Sequence, residues 1–164
     1  MFASSCKRLE ALGLAPGDNA PPFTVVDLEG KDFDLQSLKG KTVLLNFWAP
    51  WCAPCVQEMP ELETLSKKLA PKGLVVVGVA VDEHVSSIIN FQKKAGLSFL
   101  LVVDGDRNVS NSYKVKGYPE SFFIDKDGKV VLFHDPETGD ATVRIVGPRS
   151  WSSTEMISTI EAFL

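Results

Sequence analysis

Three stretches of the chain are apolar at almost every position and strand-long: TVLLNFWA (42–49), LVVVGVAV (74–81) and FLLVVD (99–104). A continuous run of this length, without alternation, predicts a strand buried on both faces. Between the runs the spacing changes. In APCVQEMPELETLSKKLA (53–70), Val56, Met59, Leu62, Leu65 and Leu69 fall near helical spacing, and in HVSSIINFQKKAG (84–96), Val85, Ile88, Ile89 and Phe91 precede a glycine stop. Buried strands alternating with helices predict a mostly parallel sheet covered on both sides.

The flanks read differently. Before the first run, FTVVD, a turn at Glu29-Gly30, a short return strand and a helical turn QSLK predict a small hairpin lid, with Gly30 and Gly40 as punctuation. After the third run comes a short helical segment, RNVSNSYKV. ESFFID and KVVLFH then flank Lys126-Asp127-Gly128, a hairpin signal. The polar loop HDPETGDA leads to a further strand, TVRIVG (142–147). Ser152 or Ser153 opens a last helix ending in MISTIEAFL, with Glu155 completing a capping arrangement. Residues 1–15 read as a tail and 16–164 as a single α/β domain.

Composition narrows the function. With 17 Lys and Arg against 21 Asp and Glu, the 164 residues carry a net charge of −4, and the signs alternate along the chain. No basic tract is long enough to follow a phosphate backbone, so nucleic acid is excluded as a partner. No run approaches the roughly 18 apolar residues that a membrane span needs. MFASSC has neither a basic nor an apolar signal region, so it does not read as a complete secretory signal. Cys6 lies among small residues, as in the tail of a lipoprotein processing site; a free thiol in a frayed terminus is the competing reading.

Cys52 and Cys55, separated by Ala53 and Pro54, carry the chemistry. Four readings compete: half of a metal site, a structural staple, the attacking cysteine of a peroxidase, or a reversible redox pair. A structural zinc needs two more ligands, and Cys6, His84 and His134 offer no paired spacing. A staple across so short a loop removes little unfolded-state entropy. Position favours exchange chemistry. Cys52 falls just past a buried strand at the start of a helix, where unpaired N–H groups and the positive dipole end favour a thiolate. Pro54 sits in the first turn, where its missing N–H costs nothing, and stiffens the spacing that lets Cys55 reach back. Cys52 is then the nucleophile and Cys55 the resolving thiol.

PPFTVVDLEGKDFDLQSLKGK, NFWAPWCAPC, VQEMPELETL and GYPESFFIDKDGKVV together resemble thioredoxin-like proteins, and most closely the thiol-disulfide oxidoreductases of bacterial cytochrome c maturation, the ResA, TlpA and CcmG group. The match runs from Pro16 onward and is weakest over 134–148. It implies a thioredoxin-like fold, with a central mixed sheet flanked by helices, an N-terminal hairpin and a helical insertion after the strand ending near Val81. It implies a protein disulfide reductase in the periplasm or at the outer face of the cytoplasmic membrane, tethered by a signal or lipid anchor that is absent or incomplete here. Disulfide-bonded proteins such as apocytochrome c are the implied substrate and a membrane thiol reductase the electron donor. No cofactor or metal is implied, and a monomer is expected.

The resemblance also assigns residues. Pro119 matches the cis-proline facing the cysteines, so Tyr118 is expected to line a groove beside Cys52, with Trp51, Ala53 and Pro54 as further substrate contacts. Glu58 matches an acidic residue held near the pair, able to relay a proton to the resolving thiol. Asn46 stands where thioredoxins carry a buried Asp; the amide is expected to hydrogen-bond locally and take no part. Pro60 is expected to bend its helix, Trp48 to pack in the core, and His84 and His134 to lie at the surface. Glu120 resembles the CcmG branch, while Ala-Pro between the cysteines is closer to ResA and TlpA. Two alternatives share the fold: a peroxidase, which normally has a Thr where Ala49 stands, and a copper metallochaperone, which would need a distant ligand such as His134.

Overall fold

The computed structural model of the protein describes residues 13–82 and 84–164. Cys6 and most of the expected tail lie outside them. Strands β1 (Thr24–Asp27) and β2 (Asp32–Asp34) form the antiparallel hairpin, whose turn is closed by the Asp27 carboxylate accepting from the N–H groups of Glu29 and Lys31. A 3-10 turn, Leu35–Leu38, follows, capped by Asp34. Next come β3 (Thr42–Trp48), α1 (Ala53–Leu69), β4 (Leu74–Ala80), α2 (Val85–Ala95), β5 (Leu100–Val103), α3 (Asn108–Ser112) and β6 (Glu120–Ile124). The chain ends with β7 (Phe133–His134), β8 (Ala141–Thr142), β9 (Ile145–Val146) and α4 (Thr154–Glu161).

Seven strands form one sheet in the order β2-β1-β5-β4-β3-β6-β9. Only β3, β4 and β5 run parallel; β1, β6 and β9 are antiparallel to the strands they join. The sheet is therefore mixed, and the mostly parallel sheet suggested by periodicity holds for its centre alone. Alternation along β3 divides the core in two, because successive side chains leave a strand on opposite faces. Leu44 and Trp48 join Met59, Leu62, Leu65 and Trp151 on one face, while Val43, Leu45 and Phe47 join Val77, Val79 and Phe122 on the other. Asn46 shares its face with Leu44 and Trp48, and this turns its amide toward α1.

Two glycines are placed by packing and turn geometry. A Cβ on Gly78 would stand 2.5 Å from a Leu101 methyl and 3.0 Å from Trp48 Nε1, so this strand position has to be bare for the indole to lie across it. Gly128 has φ +80° and closes the Lys126-Asp127-Gly128 turn.

The C-terminal strands differ from expectation. The turn forms as read, with Asp125 N–H bonded to the Lys129 carbonyl at 2.8 Å, but KVVLFH does not continue as one strand. A bridge joins Ile124 to Val130 and a bond links Val131 N–H to the Phe123 carbonyl; then the chain diverges. The place beside Glu120 and Ser121 belongs to β9, so β7 leaves to pair with β8. TVRIVG is likewise two strands. Thr142 Oγ1 accepts from Arg144 N–H at 3.0 Å and donates to the Arg144 carbonyl at 2.8 Å, which turns the chain between them. In α4, Ser153 caps by accepting from Met156 N–H; Met156 holds the position a reciprocal acid would need, so Glu155 completes no capping box.

Candidate active site around Cys52 and Cys55

At the end of β3 the chain turns through Ala49-Pro50-Trp51, closed by a 3.1 Å bond from Cys52 N–H to the Ala49 carbonyl. Cys52 is the N-cap of α1: its backbone is extended, its Sγ accepts from Cys55 N–H at 3.4 Å, and its carbonyl accepts from Val56 N–H. This is the helix-start position that periodicity suggested. The two cysteines are joined as a disulfide, their Cα atoms 5.3 Å apart. Cys52 is 7% exposed, against 0% for Cys55, so the cysteine read as the nucleophile is the more accessible of the two by a narrow margin. Ala53 and Pro54 are exposed and form the solvent rim of the pair.

The Tyr118–Pro119 peptide bond is cis. The Tyr118 carbonyl lies 3.6 Å from Cys52 Sγ, and the Pro119 carbonyl is taken by Gly147 N–H at 2.9 Å. Trp51 is 60% exposed and meets the Tyr118 ring edge-on at 5.9 Å. Beside Trp51 opens a recess of about 320 Å³ lined also by Val81, Asp82, His84, Gly105 and Arg107. Trp48 is fully buried; His84 and His134 are exposed. Glu120 is buried beneath the cis-proline loop, where Oε1 accepts from the N–H groups of Lys116 and Gly117 at 3.2 Å and Oε2 lies 3.7 Å from the Arg144 guanidinium. Its carboxylate therefore braces the loop that carries Pro119.

Glu58, one helical turn beyond Cys55, is buried. Its Oε1 accepts from Asn46 Nδ2 at 2.7 Å; its Oε2 accepts from Trp151 Nε1 at 2.8 Å and Arg149 N–H at 3.1 Å. Burial pushes the carboxyl up to about 6, against the pull of the Trp151, Asn46 and Arg149 donors. Asn46 thus departs from expectation. Its partners are not local: Nδ2 also donates to Ser121 Oγ at 3.0 Å, so the amide links β3 to both α1 and β6. A primary amide suits a neighbour that titrates, because it can donate to a carboxylate or, turned over, accept from a carboxylic acid. Pro60, two residues after Glu58, leaves α1 continuous from Ala53 to Leu69.

Sequence reasoning missed Arg149 and Trp151. They lie just past the segment, 134–148, that matches the resemblance least, and the signal there was an arginine and a tryptophan set among turn residues between Gly147 and the Ser153 cap. It also passed over Glu63, a second buried acid on α1.

A mixed sheet, a cysteine pair capping the helix after its central strand and a cis-proline facing that pair define a thioredoxin-like fold. Residues 16–133 match the AhpC/TSA family. The thiol-disulfide oxidoreductase ResA of Bacillus anthracis is 45% identical over 115 residues, covering 70% of this chain and 66% of the relative. ResA of Bacillus subtilis (strain 168) is 41% identical over 118 residues, covering 72% and 66%. Among solved structures, a thiol:disulfide interchange protein of the thioredoxin family from Chlorobium tepidum TLS superposes with a TM-score of 0.70 at 32% identity, over 90% of this chain and 97% of that one. A secreted disulfide oxidoreductase of Mycobacterium tuberculosis gives 0.67 at 29%, over 87% and 96%. The chain belongs to the AhpC/TSA family and, within it, to the ResA/DsbE/TlpA group of thioredoxin-fold oxidoreductases. The match spans just under two thirds of the length of the ResA relatives.

Proposed function

We propose that this chain reduces protein disulfides outside the cytoplasm, apocytochrome c among them, with a membrane thiol reductase restoring its own thiols. The observation that carries the reading is the Cys52–Cys55 disulfide capping α1 with the Tyr118 carbonyl 3.6 Å from Cys52 Sγ. In the reduced protein the Cys52 thiolate attacks a substrate disulfide; one substrate sulfur leaves, takes a proton, and a mixed disulfide forms. Cys55 then attacks Cys52 Sγ, the second substrate sulfur leaves as a thiol, and the enzyme is left in the oxidised form described above. Two electrons pass to the substrate.

The other residues have supporting parts. An extended substrate segment is held at the backbone of Tyr118, positioned by the cis bond to Pro119, with Trp51, Ala53 and Pro54 as the neighbouring contact surface. Glu58 takes the proton that Cys55 gives up on resolution. A carboxyl pushed up to about 6 is half-ionised near pH 6, closer to neutral pH than an ordinary glutamate, which favours such a relay. No helix among the described residues is long and apolar enough to cross a membrane, so a tether would come from elsewhere.

The direction follows from the residues between the cysteines. Ala-Pro is apolar and uncharged, like the Gly-Pro of thioredoxin, whose potential is about −270 mV against about −120 mV for a strong oxidant. Equilibration with glutathione and with dithiothreitol tests this: a potential near the thioredoxin value supports a reductase, and one near the oxidant value overturns it. Stopped-flow mixing with equimolar peroxide separates the peroxidase reading. Slow oxidation is expected, and rapid formation of a sulfenic acid at Cys52 would replace the reductase proposal.

A further inference from the structure

Asp135 and Arg149 form an ion pair, Nε to Oδ2 at 2.7 Å, with the aspartate side chain fully buried and the arginine 12% exposed. Nη1 of the same guanidinium is taken by main chain, donating to the carbonyls of Val146, Gly147 and Pro148 at 3.0, 3.4 and 2.9 Å. The turn leaving β9 is thus folded around its own arginine. Two consequences follow. The N–H of Arg149 and, two residues on, the indole N–H of Trp151 both reach Glu58 Oε2; and Gly147 N–H, in the same turn, ties down the Pro119 carbonyl.

We infer that Arg149 and Trp151 are positioning residues for disulfide exchange: the Asp135–Arg149 pair acts as a clasp that fixes the 146–151 turn, and the turn holds Glu58 ready beside the cysteines while anchoring the cis-proline loop. The inference rests on the proton-relay part of the proposed function. Trp151 is fully buried and packs edge-on to Phe123, and its indole N–H donates to the Glu58 carboxylate.

The surroundings make Glu58 responsive to these two donors. On the side of the clasp its charged neighbours are Arg149 and the Asp135 that neutralises it. On α1, Glu61 turns to the N–H and hydroxyl of Ser152, and Cys55 lies one turn back. From β3 and β6 only neutral groups arrive, Asn46 and Ser121. Three donors favour the carboxylate and burial opposes them, so removal of one donor moves the balance toward the acid.

The test is carbon NMR of the glutamate carboxyls in the full chain, with single-turnover reduction of a disulfide-bonded CxxCH peptide followed over the same pH range. Trp151→Phe keeps an aromatic ring, smaller than the indole, and drops the donor; the Glu58 midpoint should rise by about one pH unit, and the pH profile of the resolution step should rise with it. Asp135→Asn with Arg149→Met removes the clasp as a neutral pair, without orphaning a buried charge, and should shift both readouts the same way. Ser152→Ala, which touches only Glu61, serves as the unshifted control. A Glu58 midpoint that stays in place in both variants overturns the inference, as does a shifted midpoint with an unmoved rate profile. A wild-type protein that fails to reduce the peptide contradicts the proposed function instead, and the carboxyl titration alone then decides whether the clasp holds Glu58.

Discussion

Glu58 and Glu63 sit five residues apart on α1, both nearly buried, and their carboxyls move in opposite directions, one up to about 6 and the other down to about 2. Burial raises both. At Glu63 it is outweighed by Ser98, whose hydroxyl and N–H both donate, by Lys67 Nζ at 2.9 Å, and by Phe99 N–H at 3.3 Å. At Glu58 the donors are an amide, an indole and one backbone N–H, and the nearby cation, Arg149, is committed to Asp135 and three carbonyls. A free lysine and a donor cluster at a loop make a fixed anion that pegs α1 to the start of β5. A cation already neutralised leaves a carboxyl that can change its charge beside the cysteines.

The largest effect that sharpens this contrast is Glu63→Ala, which orphans the Ser98 and Phe99 donors and should cost about 3 kcal/mol of stability by denaturant unfolding while leaving exchange kinetics unchanged. A cost under about 1 kcal/mol would reduce Glu63 to an ordinary helix charge.

Acid unfolding separates the two by sign. Glu63 is depressed from 4.5 to about 2, so its stabilisation is present above pH 4.5 and is lost as pH falls toward 2, on the order of 3 kcal/mol in all. Glu58 is raised from 4.5 to about 6, so the folded state holds the proton more tightly. Its contribution is complete below pH 4.5 and is lost as pH rises through 6, on the order of 2 kcal/mol. Glu58→Gln should therefore flatten the stability profile between pH 4.5 and 6, and Glu63→Gln should flatten it below 4.5. A Glu63→Gln variant that alters the higher window instead would reverse the comparison.

A smaller effect is expected at Asn46. Asn46→Leu removes the donor on Oε1 and should raise the Glu58 midpoint by about one pH unit, leaving Glu63 where it was. If both acids moved, the change would lie in the sheet rather than in this hydrogen bond.

What sequence conveyed and what it did not follow physical lines. The buried strands β3, β4 and β5 and the helices α1 and α2 were legible because continuous apolar runs and helical spacing have a period to read. The cysteine pair was legible because its position at a strand-to-helix junction carries chemistry of its own. Strands of two residues, such as β7, β8 and β9, have no period, and their pairing was decided by competition for the edge of β6. Arg149 and Trp151 escaped for the same reason: their partner Glu58 lies 91 and 93 residues away, and nothing local marks the bond. Asn46 was misread because its partners, 12 and 75 residues away, become neighbours only when α1 and β6 pack on β3.

The central claim is that Cys52 attacks, Cys55 resolves, and Glu58 serves the second step. Single-turnover reduction of a disulfide-bonded CxxCH peptide by wild type and Glu58→Gln, quenched and read by mass spectrometry between about pH 5 and 8, tests it most directly. Attack, seen as formation of the mixed disulfide at Cys52, should proceed at the wild-type rate. Resolution should slow by about tenfold or more and lose its inflection near pH 6. Equal rates for both steps in the two proteins across that range, or a mixed disulfide formed first at Cys55, would contradict the account.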